Sequence, residues 1–258
     1  MLTTRIIPCL DVKDGRVVKG VRFQGLRDAG DPASLSDVYE QQGADEIILL
    51  DVSATHEGRA HQVETVKRVR AKLSIPLTIG GGVRQVEDAG RLLAAGADKV
   101  SVNSAAVRRP ELLRELSEKF GSQCTVISID AARRGDSWEV VVRGGREWVG
   151  MDALEWARRA VALGAGEVLL TSWDRDGTRS GYDLDLLRAV SQAVDVPVIA
   201  SGGADTPEHM VDAVRAGADA VLAASIFHDG DWTVAALKAE LAKQGLTIRQ
   251  VTNVEVAR

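Results

Sequence analysis

Gly43-Ala44-Asp45-Glu46-Ile47-Ile48-Leu49-Leu50 is echoed further along by Gly164-Ala165-Gly166-Glu167-Val168-Leu169-Leu170, from position 43 to position 164, an offset of 121. In both copies a small-residue turn meets a carboxylate. An apolar run too short for a helix follows, which reads as a buried strand. The same offset carries Ile75-Pro76 to Val196-Pro197, Gly80-Gly81-Gly82 to Ser201-Gly202-Gly203, Gly96-Ala97-Asp98 to Gly217-Ala218-Asp219, and Asn103-Ser104 to Ala224-Ser225. One register held across separate motifs is the mark of an internal repeat. It predicts two similar halves of four β/α units each, with a boundary near residues 122 and 123.

Outward from these motifs, short apolar runs alternate with amphipathic stretches. Strands are predicted at Arg5–Asp11, Glu46–Asp51, Leu77–Gly80, Lys99–Asn103, Thr125–Asp130, Glu167–Thr171, Val198–Ser201 and Ala220–Ala224. Helices are predicted at Gln62–Leu73, Val86–Ala95, Pro110–Phe120, Ala153–Leu163, Leu184–Ala193 and Pro207–Ala216. Eight strands alternating with helices on 258 residues indicate a single (β/α)8 TIM barrel built from two similar half-barrels. A doubly wound open sheet would place a glycine-rich turn after the first strand, and none stands there.

Acidic residues outnumber basic ones, 37 to 32, for a net charge of −5. This argues against a nucleic-acid or anionic-membrane partner and leaves any phosphate affinity to local groups. Cys9 and Cys124 lie in apolar runs and read as buried thiols in a reducing compartment. The first five residues lead straight into a strand, with no leader or membrane-length segment, so a soluble cytoplasmic protein is expected. His56, His61, His209 and His228 show no ligand spacing, and neither a metal nor a cofactor is expected.

The chemistry is expected at strand ends. Asp11 closes the first strand and Asp130 the fifth, 119 residues on, so that with a slip of two in the register the repeat sets two carboxylates across the C-terminal mouth, where barrels keep their active sites. Gly80-Gly81-Gly82 and Ser201-Gly202-Gly203 each link a strand to a helix, and glycines there let backbone N–H groups approach a phosphate. With Asn103-Ser104 and Ala224-Ser225 at the next strand ends, they predict two phosphate sites and a substrate phosphorylated at both ends. Asp176 and Gly177 could add sugar and phosphate contacts. Lys13 to Pro32 reads as a long loop carrying Lys19, Arg22 and Phe23, of the kind that serves as a lid. At the opposite ends of the strands Arg5, Glu46, Lys99 and Glu167 ring the barrel floor, either as a salt-bridge network or as a gate.

Arg5 to Gly20 (RIIPCLDVKDGRVVKG), Thr171 to Thr178 (TSWDRDGT) and Ala200-Ser201-Gly202-Gly203 resemble the cyclase subunit of imidazole glycerol phosphate synthase, over essentially the whole chain. The resemblance implies a heterodimer with a glutaminase subunit. Ammonia from that partner would cross the barrel to a bis-phosphorylated ribulosyl formimino aminoimidazole carboxamide nucleotide. The products would be imidazole glycerol phosphate and aminoimidazole carboxamide ribotide. It implies Asp11 and Asp130 as the general acid/base pair and Lys19 as a loop-one substrate contact. Gly82, Asn103, Ser104, Asp176, Gly177, Ser201, Gly202, Gly203, Ala224 and Ser225 would be substrate and phosphate contacts. Arg5, Glu46, Lys99 and Glu167 would be the floor gate, and Asp98 and Gln123 partner-facing positions. Ser104 stands where Thr is common and Ser128 where Ala is common, each keeping or adding a hydroxyl. Trp173 replaces a Met or Ile, which leaves the packing of its loop open.

Two rivals remain at this stage. The sister isomerase of the same pathway shares the half-barrel repeat, the paired Asp residues and two phosphate sites but needs neither ammonia nor a partner. A non-catalytic barrel that binds phosphorylated metabolites would need no facing carboxylates.

Overall fold

The computed structural model describes residues 3–21, 24–52 and 63–249. Arg22, Phe23, His56, His61 and Gln62 lie outside the described residues. Among those described, the strands in chain order are β1 (Arg5–Lys13), β2 (Arg16–Val21), β3 (Gln24–Gly30), β4 (Ile47–Asp51), β5 (Leu77–Gly80), β6 (Lys99–Val102), β7 (Thr125–Arg134), β8 (Ser137–Val142), β9 (Glu147–Asp152), β10 (Glu167–Ser172), β11 (Val198–Ser201) and β12 (Ala220–Ala223). Eight of them, β1, β4, β5, β6, β7, β10, β11 and β12, pair in parallel, and the β1–β12 and β7–β10 ladders close them into the predicted (β/α)8 barrel.

Two antiparallel hairpins were not anticipated. The Lys13 to Pro32 segment is not a plain loop: β2 and β3 fold back on the end of β1. After β7, β8 and β9 do the same. Glycines and charges interrupt both hairpins in sequence, and in the second β8 is buried along nearly its whole length while β9 is largely exposed. Helix Pro32–Gln41 was also missed, and it recurs as Ala153–Ala162; 153 minus 32 is again 121. Both begin on an aspartate: Asp31 accepts from the Ser34 N–H at 3.0 Å, and Asp152 accepts from Leu154 and Glu155 at 2.9 and 3.0 Å. Such caps satisfy N–H groups that a helix start would otherwise leave open.

Strand side chains alternate, so each barrel strand serves two cores. Ile7, Cys9, Ile48, Val126, Leu169, Ile199, Ala220 and Leu222 form a cluster of their own, the barrel interior. Their sequence neighbours, including Ile6, Leu10, Leu49, Ile127 and Leu170, join the larger layer under the helices. Cys9 is buried as expected, whereas Cys124 is only half-buried. It sits in a 3-10 turn (Ser122–Cys124) rather than in a strand, and both thiols are free.

The Gly-Ala-Asp repeat has a structural purpose. Asp45, Asp98 and Asp219 each accept from a backbone N–H at the start of a neighbouring strand, those of Ile6 (2.8 Å), Leu77 (2.8 Å) and Val198 (2.9 Å). Their own N–H groups return bonds to the carbonyls of the same three residues. The fourth copy carries Gly166, because a Cβ there would meet the Ser122 carbonyl oxygen at 2.3 Å. Two stability outcomes follow. Asp219→Ala strands the Val198 donor and is expected to cost about 1–3 kcal/mol in chemical denaturation. Gly166→Asp, which completes the repeat on paper, is expected to destabilise the barrel as well; a neutral or stabilising result would refute the crowding argument.

Candidate active site

Inward alternation along β1 runs Arg5, Ile7, Cys9, Asp11, from barrel floor to mouth. Along β7 it runs Val126, Ser128, Asp130. Both aspartates therefore reach the mouth, as predicted. Burial, with the Asp176 carboxylate adding to it, pushes each carboxyl from its ordinary 3.8 to about 7. Partial relief differs between them. The Asn103 amide donates to Asp130 Oδ2 at 2.9 Å, while the Cys9 thiol lies 3.9 Å from Asp11 Oδ1. Near neutral pH each carboxyl can thus serve as acid or as base.

A single cleft beside Asp11 is lined by Lys19, Asp176, Gly177, Ser201, Gly202, Gly203, Ala224 and Ser225, all predicted positions, together with Arg179 and His228. The glycines are required by their backbone. At Gly202 (φ +91°) a Cβ would meet the Ser172 oxygen at 2.8 Å, and at Gly203 (φ +96°) the Gly181 oxygen at 2.2 Å. The repeat copy is built alike: Gly81 (φ +85°) leaves no room for a Cβ beside the Asp51 oxygen, 2.2 Å away, and Gly82 also has positive φ, +73°.

Gly82, Asn103 and Ser104 do not line that cleft and stand on the Asp130 side. Asn103 holds Asp130, and its buried Oδ1 has no partner among the described residues. Ser104 Oγ accepts from the Arg143 N–H at 3.3 Å, in the β8–β9 turn. That turn also explains Trp173: its indole lies where a Cβ on Gly145 would stand, 2.0 Å from the ring. The larger residue is accommodated because a glycine faces it.

Lys19 pairs with Asp229, which also takes Arg27 at 2.6 Å and Arg179 at 2.7 Å. Arg179, a non-glycine residue at φ +57°, further pairs with Asp231 at 2.8 Å. Sequence reading missed Arg179, Asp229 and the cleft role of His228. Their neighbours come from different loops, and the histidine was weighed only as a metal ligand.

At the floor, Arg5 bonds Glu46 (2.8 Å) and Glu167 (2.5 Å), and Lys99 bonds the same two at 3.0 and 2.8 Å. The four residues close a ring of alternating charge, with Thr78 Oγ1 adding a bond to the buried Glu46 at 2.6 Å. Asp98 and Gln123 lie near this end. Asp98 also pairs with Arg70 at 2.5 Å, and Gln123 bonds the Phe120 carbonyl at 3.4 Å. No group of metal-ligating side chains occurs among the described residues, and none of their helices is long and apolar enough to cross a membrane.

The raised carboxyls have a measurable consequence. Between pH 4 and 7 the folded chain keeps protons that the unfolded chain releases, so stability falls as pH rises through that window and levels off above it. Asp11→Asn or Asp130→Asn removes one such loss. The Tm advantage of either variant over wild type is expected to grow from pH 4 to pH 7, and a pH-independent difference would contradict the burial argument.

Comparison with known proteins gives a consistent outcome. Residues 5–233 match the family model described as histidine biosynthesis protein. The chain is 60% identical over 253 residues, 98% of its length and all of the relative's, to imidazole glycerol phosphate synthase subunit HisF of Myxococcus xanthus. It is 55% identical over 249 residues, 96% of its length and again all of the relative's, to the protein of that name from Exiguobacterium sibiricum. A closed barrel with paired aspartates at its mouth thus coincides with near-full-length identity, and the chain belongs to the histidine biosynthesis family that includes imidazole glycerol phosphate synthase subunit HisF.

Proposed function

We propose that this chain is the cyclase subunit of an imidazole glycerol phosphate synthase. It would use ammonia from a glutaminase partner to convert the bis-phosphorylated ribulosyl formimino nucleotide to imidazole glycerol phosphate and aminoimidazole carboxamide ribotide. The observation that carries the reading is the pair Asp11 and Asp130, both poised near neutrality at one mouth.

The glycine cleft next to Asp11 receives one phosphate on the backbone N–H groups of Gly177, Gly202, Gly203, Ala224 and Ser225. Gly82, Asn103 and Ser104 receive the other end beside Asp130. The reacting carbons then lie between the two carboxyls. Ammonia attack, imine formation and ring closure with C–N cleavage each need a proton given on one side and taken on the other. Two carboxyls near pH 7, one eased by an amide and one by a thiol, can divide that work. Lys19 leaves Asp229 to neutralise the phosphate charge as the β2–β3 hairpin closes.

Ammonia enters at the other end. The charged ring of Arg5, Glu46, Lys99 and Glu167 closes the floor. Above it the interior is walled by Ile7, Ile48, Val126, Leu169 and Ile199, which accept neutral ammonia but not ammonium. Asp98 and Gln123 flank the surface on which a glutaminase would dock.

Incubation of the bis-phosphorylated nucleotide with ammonium salt is expected to give turnover that needs ammonia. Turnover without ammonia would point to the isomerase, and binding without turnover to a phospho-metabolite binder. Asp11→Asn and Asp130→Asn are each expected to lose about 10²–10⁴-fold in kcat with substrate affinity nearly intact. The wild-type rate should peak near pH 7. Lys99→Ala opens the ring on one side and leaves Arg5 as the cation that Glu46 and Glu167 still share. Glutamine-supported turnover in the assembled heterodimer is expected to fall several-fold relative to ammonium-supported turnover, and equal losses in both would remove the gate role.

A further inference from the structure

The β1–β12 ladder runs from Arg5↔Ala220 to Pro8↔Ala223 and stops there, because the chain leaves the sheet for the short helix Ser225–His228. Arg5 N–H bonds Asp219 O on that side. Alternate residues of a strand turn their polar groups to the same side, so the next carbonyl facing the missing partner belongs to Cys9. A buried carbonyl without a donor is costly. Here the donor is a side chain: His228 Nε2 lies 3.0 Å from the Cys9 oxygen, and Tyr39 Oη lies 2.6 Å from His228 Nδ1. Since a carbonyl can only accept, the Nε2 nitrogen carries the proton, and Nδ1 accepts from the tyrosine. Burial lowers the histidine's pKa and keeps it neutral in that tautomer. Tyr39, itself buried, is held at ring distances of 5.9 Å from both Phe227 and His228.

The other half of the barrel has no such arrangement. At the repeat offset, His228 corresponds to Val107 and Tyr39 to Ala160. There Asn103 holds Asp130 directly, whereas its counterpart Ala224 has no side chain to hold Asp11. The two aspartates are therefore supported by different means.

We propose that His228 is a positioning residue for Asp11. Its Nε2–H ties the Cys9 carbonyl, two residues before Asp11, to the Ala224–Ser225 turn that lines the phosphate cleft, and Tyr39 holds the ring from its other nitrogen. This rests on the reading of Asp11 as an acid–base group. Occupancy of the cleft and the aim of the Asp11 carboxyl are thereby linked through one hydrogen bond.

The test compares His228→Leu, His228→Gln and Tyr39→Phe in ammonium-supported turnover, alongside nitrogen NMR of the His228 ring in the full chain. His228→Leu is expected to lower kcat by about tenfold to a hundredfold, with KM for the nucleotide within about twofold of wild type. His228→Gln, which keeps a donor, is expected to recover most of the rate, and Tyr39→Phe to fall between. The ring should show a neutral imidazole protonated on Nε2 in wild type and in Tyr39→Phe. A folded His228→Leu with unchanged kcat, or with only KM raised, overturns the proposal, as does a proton resident on Nδ1. If His228→Leu does not fold, Tyr39→Phe decides: wild-type kcat overturns it. Wild-type protein without ammonia-dependent turnover would count against the cyclase reading instead, and the NMR result would still decide the hydrogen bond.

Discussion

The inward alternation of side chains on a closed barrel is the constraint on which the other features depend. A strand that turns every second residue to the interior presents, from floor to mouth, a charge, two apolar or small residues and then an acid. On β1 that series is Arg5, Ile7, Cys9 and Asp11. A slip of one residue would put Ile6 and Leu10 into the barrel and Asp11 under the helices. The floor ring, the dry middle and the acidic mouth are thus one pattern set by one register.

That pattern raises the electrostatic cost at the mouth. Asp11, Asp130 and Asp176 share it, with the Asn103 amide easing Asp130 and the Cys9 thiol beside Asp11. The cations are kept at the rim, where Lys19, Arg27 and Arg179 converge on Asp229. A phosphate entering the cleft competes with that carboxylate for the same cations. The charge arrangement therefore keeps cations at the rim, within reach of an anion, while the two buried carboxyls are raised to about 7.

The internal repeat explains the scaffold better than the site. Hairpins, capped helices, glycine turns and the aspartates that fasten strand starts recur at one offset. Departures mark places where the halves have different tasks or different neighbours. Gly166 yields to a carbonyl, Ala224 replaces the amide that steadies Asp130, and His228 with Tyr39 stands where the other half has Val107 and Ala160.

Much was legible in the residues alone. Short apolar runs at regular spacing determine the strands, because a buried parallel strand needs few residues and little else, and the repeat determines their number. Asp11, Asp130 and the glycine turns were found as strand ends, since chemistry at a barrel mouth follows from topology. The hairpins after β1 and β7 were not legible, because glycines and charges interrupt their strands. Nor could local pattern join Lys19 to Asp229, 210 residues apart, or His228 to the Cys9 carbonyl. Those pairings exist only once the barrel closes and brings its last strand against its first. Sequence alone determined which residues lie at the mouth; tertiary structure decided which of them hold one another, because closure sets the distances over which charges and hydrogen bonds act.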